Sequence, residues 1–234
     1  MIKLGLIGKN IQHSLSPAIY KKIFGLGVSY DLLDFQSETD IPPVAEIFQS
    51  YDGINITSPY KKHFLSQVEL TENARELGAI NCLKKNGDKI IGENTDYLAI
   101  VDILKNWLAK EKKLNVVLFG DGVMASVTEA ALKNLGLTYK AYSRKKTPAF
   151  SQLNLKEAHN QTDGTLLVIN TCAREFVFDG ILPKECIFWD YNYNFEPHHK
   201  LSSGIKLYQD GREMLELQAQ YAVAFWSFIK DSFK

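Results

Sequence analysis

Three short polar clusters each close an apolar run: Asn55-Ile56-Thr57-Ser58-Pro59-Tyr60-Lys61, Gly78-Ala79-Ile80-Asn81, and Gly92-Glu93-Asn94-Thr95-Asp96. Between them they supply a lysine, an aspartate and several amide and hydroxyl groups. Brought together at strand ends, such a set can hold one small hydroxylated ligand and move a proton to or from it. Lys61 follows Pro59 at an expected helix start, and Asp96 closes an Asn-Thr-Asp turn. Taken singly, each could be a surface charge; their common setting at strand ends favours a site. A further pair of hydroxyls, Ser14 and Ser16, brackets Leu15 at a helix entrance and could grip a carboxylate, although serine before proline is also an ordinary helix cap.

A second constellation lies downstream. Val116-Val117-Leu118-Phe119 runs straight into Gly120-Asp121-Gly122-Val123-Met124-Ala125, followed by helical Thr128 to Leu135 and a capping Gly136. Strand, G-x-G-x-x-A and helix in that order form the dinucleotide fingerprint, in which glycines let the backbone approach a pyrophosphate and the helix amino terminus faces its charge. A glycine turn arising by chance in an α/β protein would look similar. The next strand, Tyr139 to Tyr142, ends where NAD enzymes carry an acid for the ribose 2′-hydroxyl. Here Ser143-Arg144-Lys145-Lys146 follows instead. Cations suit a 2′-phosphate, at about 1.5–3 kcal/mol per charge-assisted hydrogen bond, so the expected cofactor is NADP rather than NAD. The competing reading is a solvated basic turn.

These groups need elements to position them. Ile2 to Ile7, Ser29 to Phe35, Gly53 to Ile56, Val116 to Phe119, Tyr139 to Tyr142, Thr165 to Ile169, Cys186 to Asp190 and Ile205 to Tyr208 read as short buried strands. Helical patterns at Pro17 to Phe24, Pro42 to Ser50, Glu72 to Leu77 and Leu98 to Leu108 separate many of them. The alternation predicts an α/β protein with parallel sheets, and the charged run Lys110 to Lys113 marks a domain boundary. In the last segment Met214, Leu217, Gln218, Tyr221, Ala222, Phe225, Phe228 and Ile229 share one helical face. Gln218 is the polar member. Periodicity favours the stripe's edge, in water; inside the stripe its amide would need partners, since an unpaired buried polar group costs about 1–3 kcal/mol.

With 45% apolar residues over 234, the chain can build two modest domains or one large one. Lys plus Arg and Asp plus Glu balance at 27 each, leaving no global field to attract nucleic acid or an acidic membrane. Cys82, Cys172 and Cys186 are widely spaced and form no C-x-x-C pair, which fits reduced structural thiols rather than zinc ligands or disulfides. The apolar run near Met1 is too short for a signal peptide or span. The expected setting is the cytoplasm, with a small-molecule substrate as partner and no metal, nucleic acid or membrane; monomer and homodimer are both compatible.

The chain resembles the shikimate dehydrogenase family almost end to end. The resemblance rests on Ser14-Leu15-Ser16-Pro17, on Asn-x-Thr-x-Pro-x-Lys from Asn55 to Lys61, on Gly-Ala-x-Asn at Gly78, and on Gly-x-Asn-Thr-Asp at Gly92. The glycine loop at Gly120, Asp190-x-x-Tyr193, and Gly211-x-x-Met214-Leu215-x-x-Gln218 complete it. It implies an amino-terminal α/β substrate domain over 1–109, a Rossmann-like NADP-binding domain over 110–210, and a carboxy-terminal helix, 211–234, returning to the substrate domain. It also implies NADPH-dependent, reversible reduction of 3-dehydroshikimate to shikimate, on the route to aromatic amino acids. Carried over, Lys61 and Asp96 form the catalytic pair; Ser14 and Ser16 bind the carboxylate; Asn55, Thr57, Asn81, Asp96 and Gln218 hold the ring. Gly120, Gly122, Val123, Met124, Ser143, Arg144, Lys145, Tyr191 and Gly211 fall to the cofactor. Lysine ordinarily keeps its proton at neutral pH and a carboxylate reinforces this, so Lys61 would serve as donor, and alcohol oxidation should speed up as pH rises.

The cofactor half departs from the family more than the substrate half does. Asp121, Val123 and Met124 stand where small residues are usual, and Asp121 puts negative charge near the expected pyrophosphate, which predicts weakened nucleotide binding. Of the family's Asn-Arg-Thr only Arg144 matches, and Asn170-Thr171-Cys172-Ala173 matches the Asn-Ala-Thr-Pro loop in part. Two other readings follow: a quinate or other cyclic hydroxy-acid dehydrogenase, against which Ser16 counts, and a ligand-binding paralogue with impaired catalysis, against which Lys61 and Asp96 count.

Overall fold

The computed structural model describes residues 1–159 and 163–227. It divides into two compact units, Met1–Ala99 with the chain from Leu215 onward, and Ile100–Met214. Phe228 and Ile229 lie outside the described residues.

The first unit holds β1 (Ile2–Gly8), α1 (Ser16–Phe24), β2 (Val28–Asp34), α2 (Val44–Ile47), β3 (Gly53–Ile56), β4 (Glu69–Leu70), α3 (Glu72–Leu77), β5 (Cys82–Asn86) and β6 (Lys89–Glu93). Helix α4 (Thr95–Lys110) starts in it and runs on into the second unit. That unit continues with β7 (Leu114–Phe119), α5 (Val123–Asn134), β8 (Tyr139–Tyr142), α6 (Leu155–His159), β9 (Thr165–Asn170), β10 (Cys186–Asp190), α7 (Glu196–His199) and β11 (Leu207–Gln209). Helix α8 (Arg212–Trp226) carries the chain back to the first unit.

The first sheet has the order β2-β1-β3-β5-β6-β4, with β1 parallel to β2 and β3 but β5 antiparallel to both β3 and β6. The β5–β6 hairpin was not expected from the sequence. Lys84, Lys85, Asn86 and Lys89 hide any apolar alternation, and the signal lies instead in Gly87, whose φ of +61° suits the two-residue turn. This hairpin decides where the site forms. The carboxyl ends of β1 and β3, the amino end of β5 and the carboxyl end of β6 all reach one edge of the sheet, since Ile7 pairs with Ile56, Asn55 with Cys82, and Cys82 with Glu93.

Helix α8 seals one face of this sheet. Its buried residues are Met214, Gln218, Ala219, Ala222, Val223 and Trp226, whereas Leu217, Tyr221 and Phe225 are only half-buried. The true inward face is thus shifted toward two small alanines that let the helix approach closely. Trp226 donates from Nε1 to Leu83 O at 2.8 Å, and a Cβ on Gly53 would stand 2.6 Å from the indole. A bare glycine on β3 therefore lets the ring lie against the strand, beside Leu4, Tyr20 and Cys82. Truncating such a buried indole costs about 3–5 kcal/mol.

The second sheet, β11-β10-β9-β7-β8, is wholly parallel, and β9 and β10 are buried throughout. Parallel strands covered on both faces read as continuous apolar runs, which is how Thr165 to Ile169 and Cys186 to Asp190 stood out in the sequence. The order, with β9 and β8 flanking β7, puts the turn after β7 at the switch of winding direction, where open α/β sheets bind ligands.

Candidate functional site

At the shared edge of the first sheet, Lys61 Nζ lies 2.6 Å from Asp96 Oδ2, with both side chains almost entirely buried. Lys61 is not at a helix start. The stretch after Tyr60 is a chain of tight turns, with Tyr60 N–H donating to Thr57 O, His63 to Tyr60, and Gln67 to Phe64, each three residues back. Its Tyr60 and Phe64 rings anchor it in the core, while Lys61 O accepts from Ile80 N–H at 2.9 Å. Asp96 is likewise not in a turn but in the first turn of α4, which begins three residues earlier than the apolar spacing suggests. Asn94 starts it: Oδ1 accepts from Tyr97 N–H at 3.0 Å and Nδ2 donates to Ala79 O at 3.0 Å. A carboxylate there is also favoured by the helix dipole.

Asn81 links the remaining groups. Its Oδ1 accepts from Thr95 N at 2.7 Å and from Thr95 Oγ1 at 3.1 Å, and its Nδ2 reaches Gln218 Oε1 at 3.4 Å. Gln218 is buried, not at the edge of the α8 stripe, and its amide is satisfied by Asn81, Thr95 Oγ1 and Leu215 O. Asn55 donates from Nδ2 to Asn81 O at 3.3 Å and accepts from the Tyr30 hydroxyl at 3.0 Å. Tyr30 stacks on Tyr20 with ring centroids 4.8 Å apart, and burial pushes both phenols far above their ordinary range; Tyr30 also neighbours Ser16. Burial, reinforced by the charges of Glu93 and Asp96, does the same to the Cys82 thiol. This edge of the sheet is strongly desolvated, and Lys61 and Asp96 stand in it as a buried ion pair.

Ser16 is buried at the first residue of α1, and Ser14 Oγ accepts from its backbone N–H at 3.2 Å. Thr57 closes β3 beside Gly8, where a Cβ would stand 2.5 Å from the threonine methyl, so glycine at the end of β1 makes room for it. The sequence motifs assign no role to Thr95, although it lies inside Gly-x-Asn-Thr-Asp, or to Tyr20 and Tyr30, whose only signal is two aromatic positions that the fold stacks.

In the second unit the glycine loop leaves β7. Gly120 has φ +117°, and a Cβ there would stand 2.4 Å from Thr171 Oγ1, while one on Gly122 would meet nothing within 4 Å. The first glycine is thus required by the fold, and the second leaves open space before α5, which begins at Val123 and Met124. Gly120 N–H donates to Tyr142 O at 2.9 Å, which brings the loop beside Ser143, Arg144 and Lys145. Ser143 is buried and its hydroxyl has no hydrogen-bond partner among the described residues, whereas Arg144, Lys145 and Lys146 are exposed. Open space at Gly122, an orphan hydroxyl and three cations at one strand edge fit a phosphorylated dinucleotide. Tyr191 bonds through its hydroxyl to Thr128 Oγ1 on α5 at 2.7 Å, and Gly211 packs on the Tyr191 backbone, where a Cβ would meet its carbonyl oxygen at 2.2 Å.

The loops after β9 and β10 are tied by one buried carboxylate. Asp190 accepts from Asn170 Nδ2 at 3.0 Å, Asn192 N at 3.0 Å and His198 Nδ1 at 2.5 Å, while Asn192 Nδ2 also reaches Cys172 O at 3.1 Å. His198 Nε2 accepts from Phe178 N–H, so the ring proton resides on Nδ1, facing Asp190. Asn192 and His198 carried no signal in the sequence.

A parallel-sheet dinucleotide unit, joined to an α/β unit with a buried lysine–carboxylate pair and amide-rich edge, defines a two-unit α/β protein of the nucleotide-dependent oxidoreductase type. Residues 6–83 match the family described as shikimate dehydrogenase substrate binding domain. A shikimate dehydrogenase of Sulfurisphaera tokodaii is 30% identical over 95% of this chain and 88% of its own length. The shikimate dehydrogenase (NADP(+)) of Vesicomyosocius okutanii is 29% identical over 100% and 97%. Among solved structures, shikimate dehydrogenase from Aquifex aeolicus superposes with a TM-score of 0.77 at 24% identity, covering 97% of this chain and 92% of its own. The Thermus thermophilus enzyme, solved in complex with NADP(H) and shikimate, gives 0.73 at 23%, covering 97% and 94%. The chain belongs to the shikimate dehydrogenase family.

Proposed function

We propose that this protein is an NADP-dependent shikimate dehydrogenase, interconverting 3-dehydroshikimate and shikimate on the route to aromatic amino acids. The observation that carries the reading is the buried Lys61–Asp96 pair at 2.6 Å, set among Asn55, Asn81, Thr95 and Gln218 at one sheet edge. The unit built on β1 to β6 takes the substrate. Ser14 and Ser16 hold its carboxylate, and Thr57, Asn81, Asp96 and Gln218 hold its hydroxyls. The unit built on β7 to β11 takes NADPH through Gly120, Gly122, the start of α5 at Val123 and Met124, the turn Ser143 to Lys145, Tyr191 and Gly211.

NADPH supplies the hydride. As the ketone carbon is reduced, negative charge develops on its oxygen, and the Lys61 ammonium both stabilises that charge and delivers the proton. Asp96 aims the ammonium through its 2.6 Å contact, and its second oxygen accepts from a ring hydroxyl. In the oxidative direction Lys61 takes the proton back. Desolvation around Tyr20, Tyr30 and Cys82 strengthens each of these charge interactions. Among the described residues no helix is long and apolar enough to cross a membrane, and a cytoplasmic setting agrees with the balanced charge and free cysteines.

The test is nucleotide reduction followed spectrophotometrically with shikimate and NADP or NAD, repeated with Lys61→Ala. Reduction lost in the variant while shikimate still binds supports the reading. Reduction of nucleotide with quinate but not shikimate would reassign the substrate, and no turnover with either would leave a binding protein.

A further inference from the structure

In a dinucleotide fold, the end of the strand after the glycine loop reads the 2′ position of the adenosine ribose. An acid there accepts from the free hydroxyl of NAD, and a cation receives the phosphate of NADP. This chain places both kinds of group together. Asp121 follows the first glycine of the loop, and the Gly120 N–H bond to Tyr142 O holds it next to the turn after β8. There Asp121 Oδ2 lies 3.6 Å from Lys145 Nζ. Both side chains are exposed, so the contact is open to a ligand rather than part of the core. Arg144 and Asp121 also act on the same neighbour, the half-buried Cys172 thiol, one lowering and the other raising its proton affinity. Three cations, Arg144, Lys145 and Lys146, thus share this edge with one acid that the fold has aimed at the middle one.

We propose that Asp121 is a specificity-determining residue, an acid stationed inside the 2′-phosphate subsite that occupies Lys145, repels the phosphate, and offers an acceptor to the ribose hydroxyl of NAD. The proposal rests on the nucleotide-dependent reading above and extends it. Discrimination in favour of NADP then rests chiefly on Arg144, and the protein tolerates NAD better than its basic turn alone suggests. Neutralising Asp121 releases Lys145 for the phosphate and removes a charge that the phosphate must approach.

The experiment measures dissociation constants of NADPH and NADH by fluorescence titration, without turnover, for the wild type, Asp121→Asn, Asp121→Glu, Lys145→Ala and Asp121→Asn/Lys145→Ala. Asp121→Asn should shift the NADPH-to-NADH affinity ratio about tenfold toward NADPH, or about 1.4 kcal/mol. Asp121→Glu should keep the wild-type ratio. Lys145→Ala should weaken NADPH binding by less than threefold in the wild type, and by about tenfold where Asp121 is already Asn. A ratio that stays within twofold on neutralising Asp121, or an equal Lys145→Ala effect in both backgrounds, overturns the proposal while leaving the dehydrogenase reading intact. A wild type that binds neither nucleotide overturns both.

Discussion

Consider Asp96→Asn, Lys61→Met and the two combined. The pair is 2.6 Å apart with side chains 7% and 10% exposed, so water solvates neither charge well. Removing one partner takes the countercharge from the other, at a cost of about 3–5 kcal/mol. For a chain of this size each kcal/mol moves the melting temperature by roughly 2–4 °C, so either single variant should melt roughly 6–20 °C lower. The double variant carries neither charge. It loses only the carboxylate's interaction with the start of α4, about 0.3–1 kcal/mol, and should recover most of the stability. Activity should behave oppositely: the proposed proton-transfer group is absent, so oxidation of shikimate should remain lost. The assay is thermal and urea unfolding of all four proteins by circular dichroism, beside the nucleotide-reduction rate. A double variant destabilised by the sum of the single losses would refute the argument, because it would show that the two charges do not sustain each other.

Gly120→Ala tests the glycine loop: with φ +117° and Thr171 Oγ1 in the way, it should cost about 1–3 kcal/mol in strain and abolish NADPH binding in a fluorescence titration, whereas Gly122→Ala, which meets no protein atom, should fold normally. Normal melting of Gly120→Ala would show that the loop relaxes. Burial pushes the Cys172 thiol up to about 12, with Arg144 partly offsetting it. At pH 8 its thiolate is then about one part in 10⁴, so alkylation of this cysteine in the native protein should run about a thousandfold slower than in urea and rise about tenfold per pH unit; rapid labelling at pH 8, read by mass spectrometry, would contradict this.

Chemistry-bearing residues and periodic elements were legible in the linear chain because they depend on local rules. Lys61, Asp96, Asn81 and the glycine loop announced themselves by residue type at the ends of apolar runs, and strands β7, β9 and β10 by those apolar runs, β9 and β10 being buried throughout. What the sequence could not settle was which of these groups meet. That depends on β5 running antiparallel between β3 and β6, a choice recorded only in Gly87 and masked by three lysines. It also depends on α8 burying its alanine side, which carries Gln218 from a plausible watery edge to a contact with Asn81, 137 residues away. Likewise Asp121 read alone is a misplaced charge; only the adjacency of β7 and β8 gives it Lys145 as a partner. Local pattern determined the parts and the edge-seeking polar ends. Long-range pairing, which no short window of residues encodes, decided the constellation.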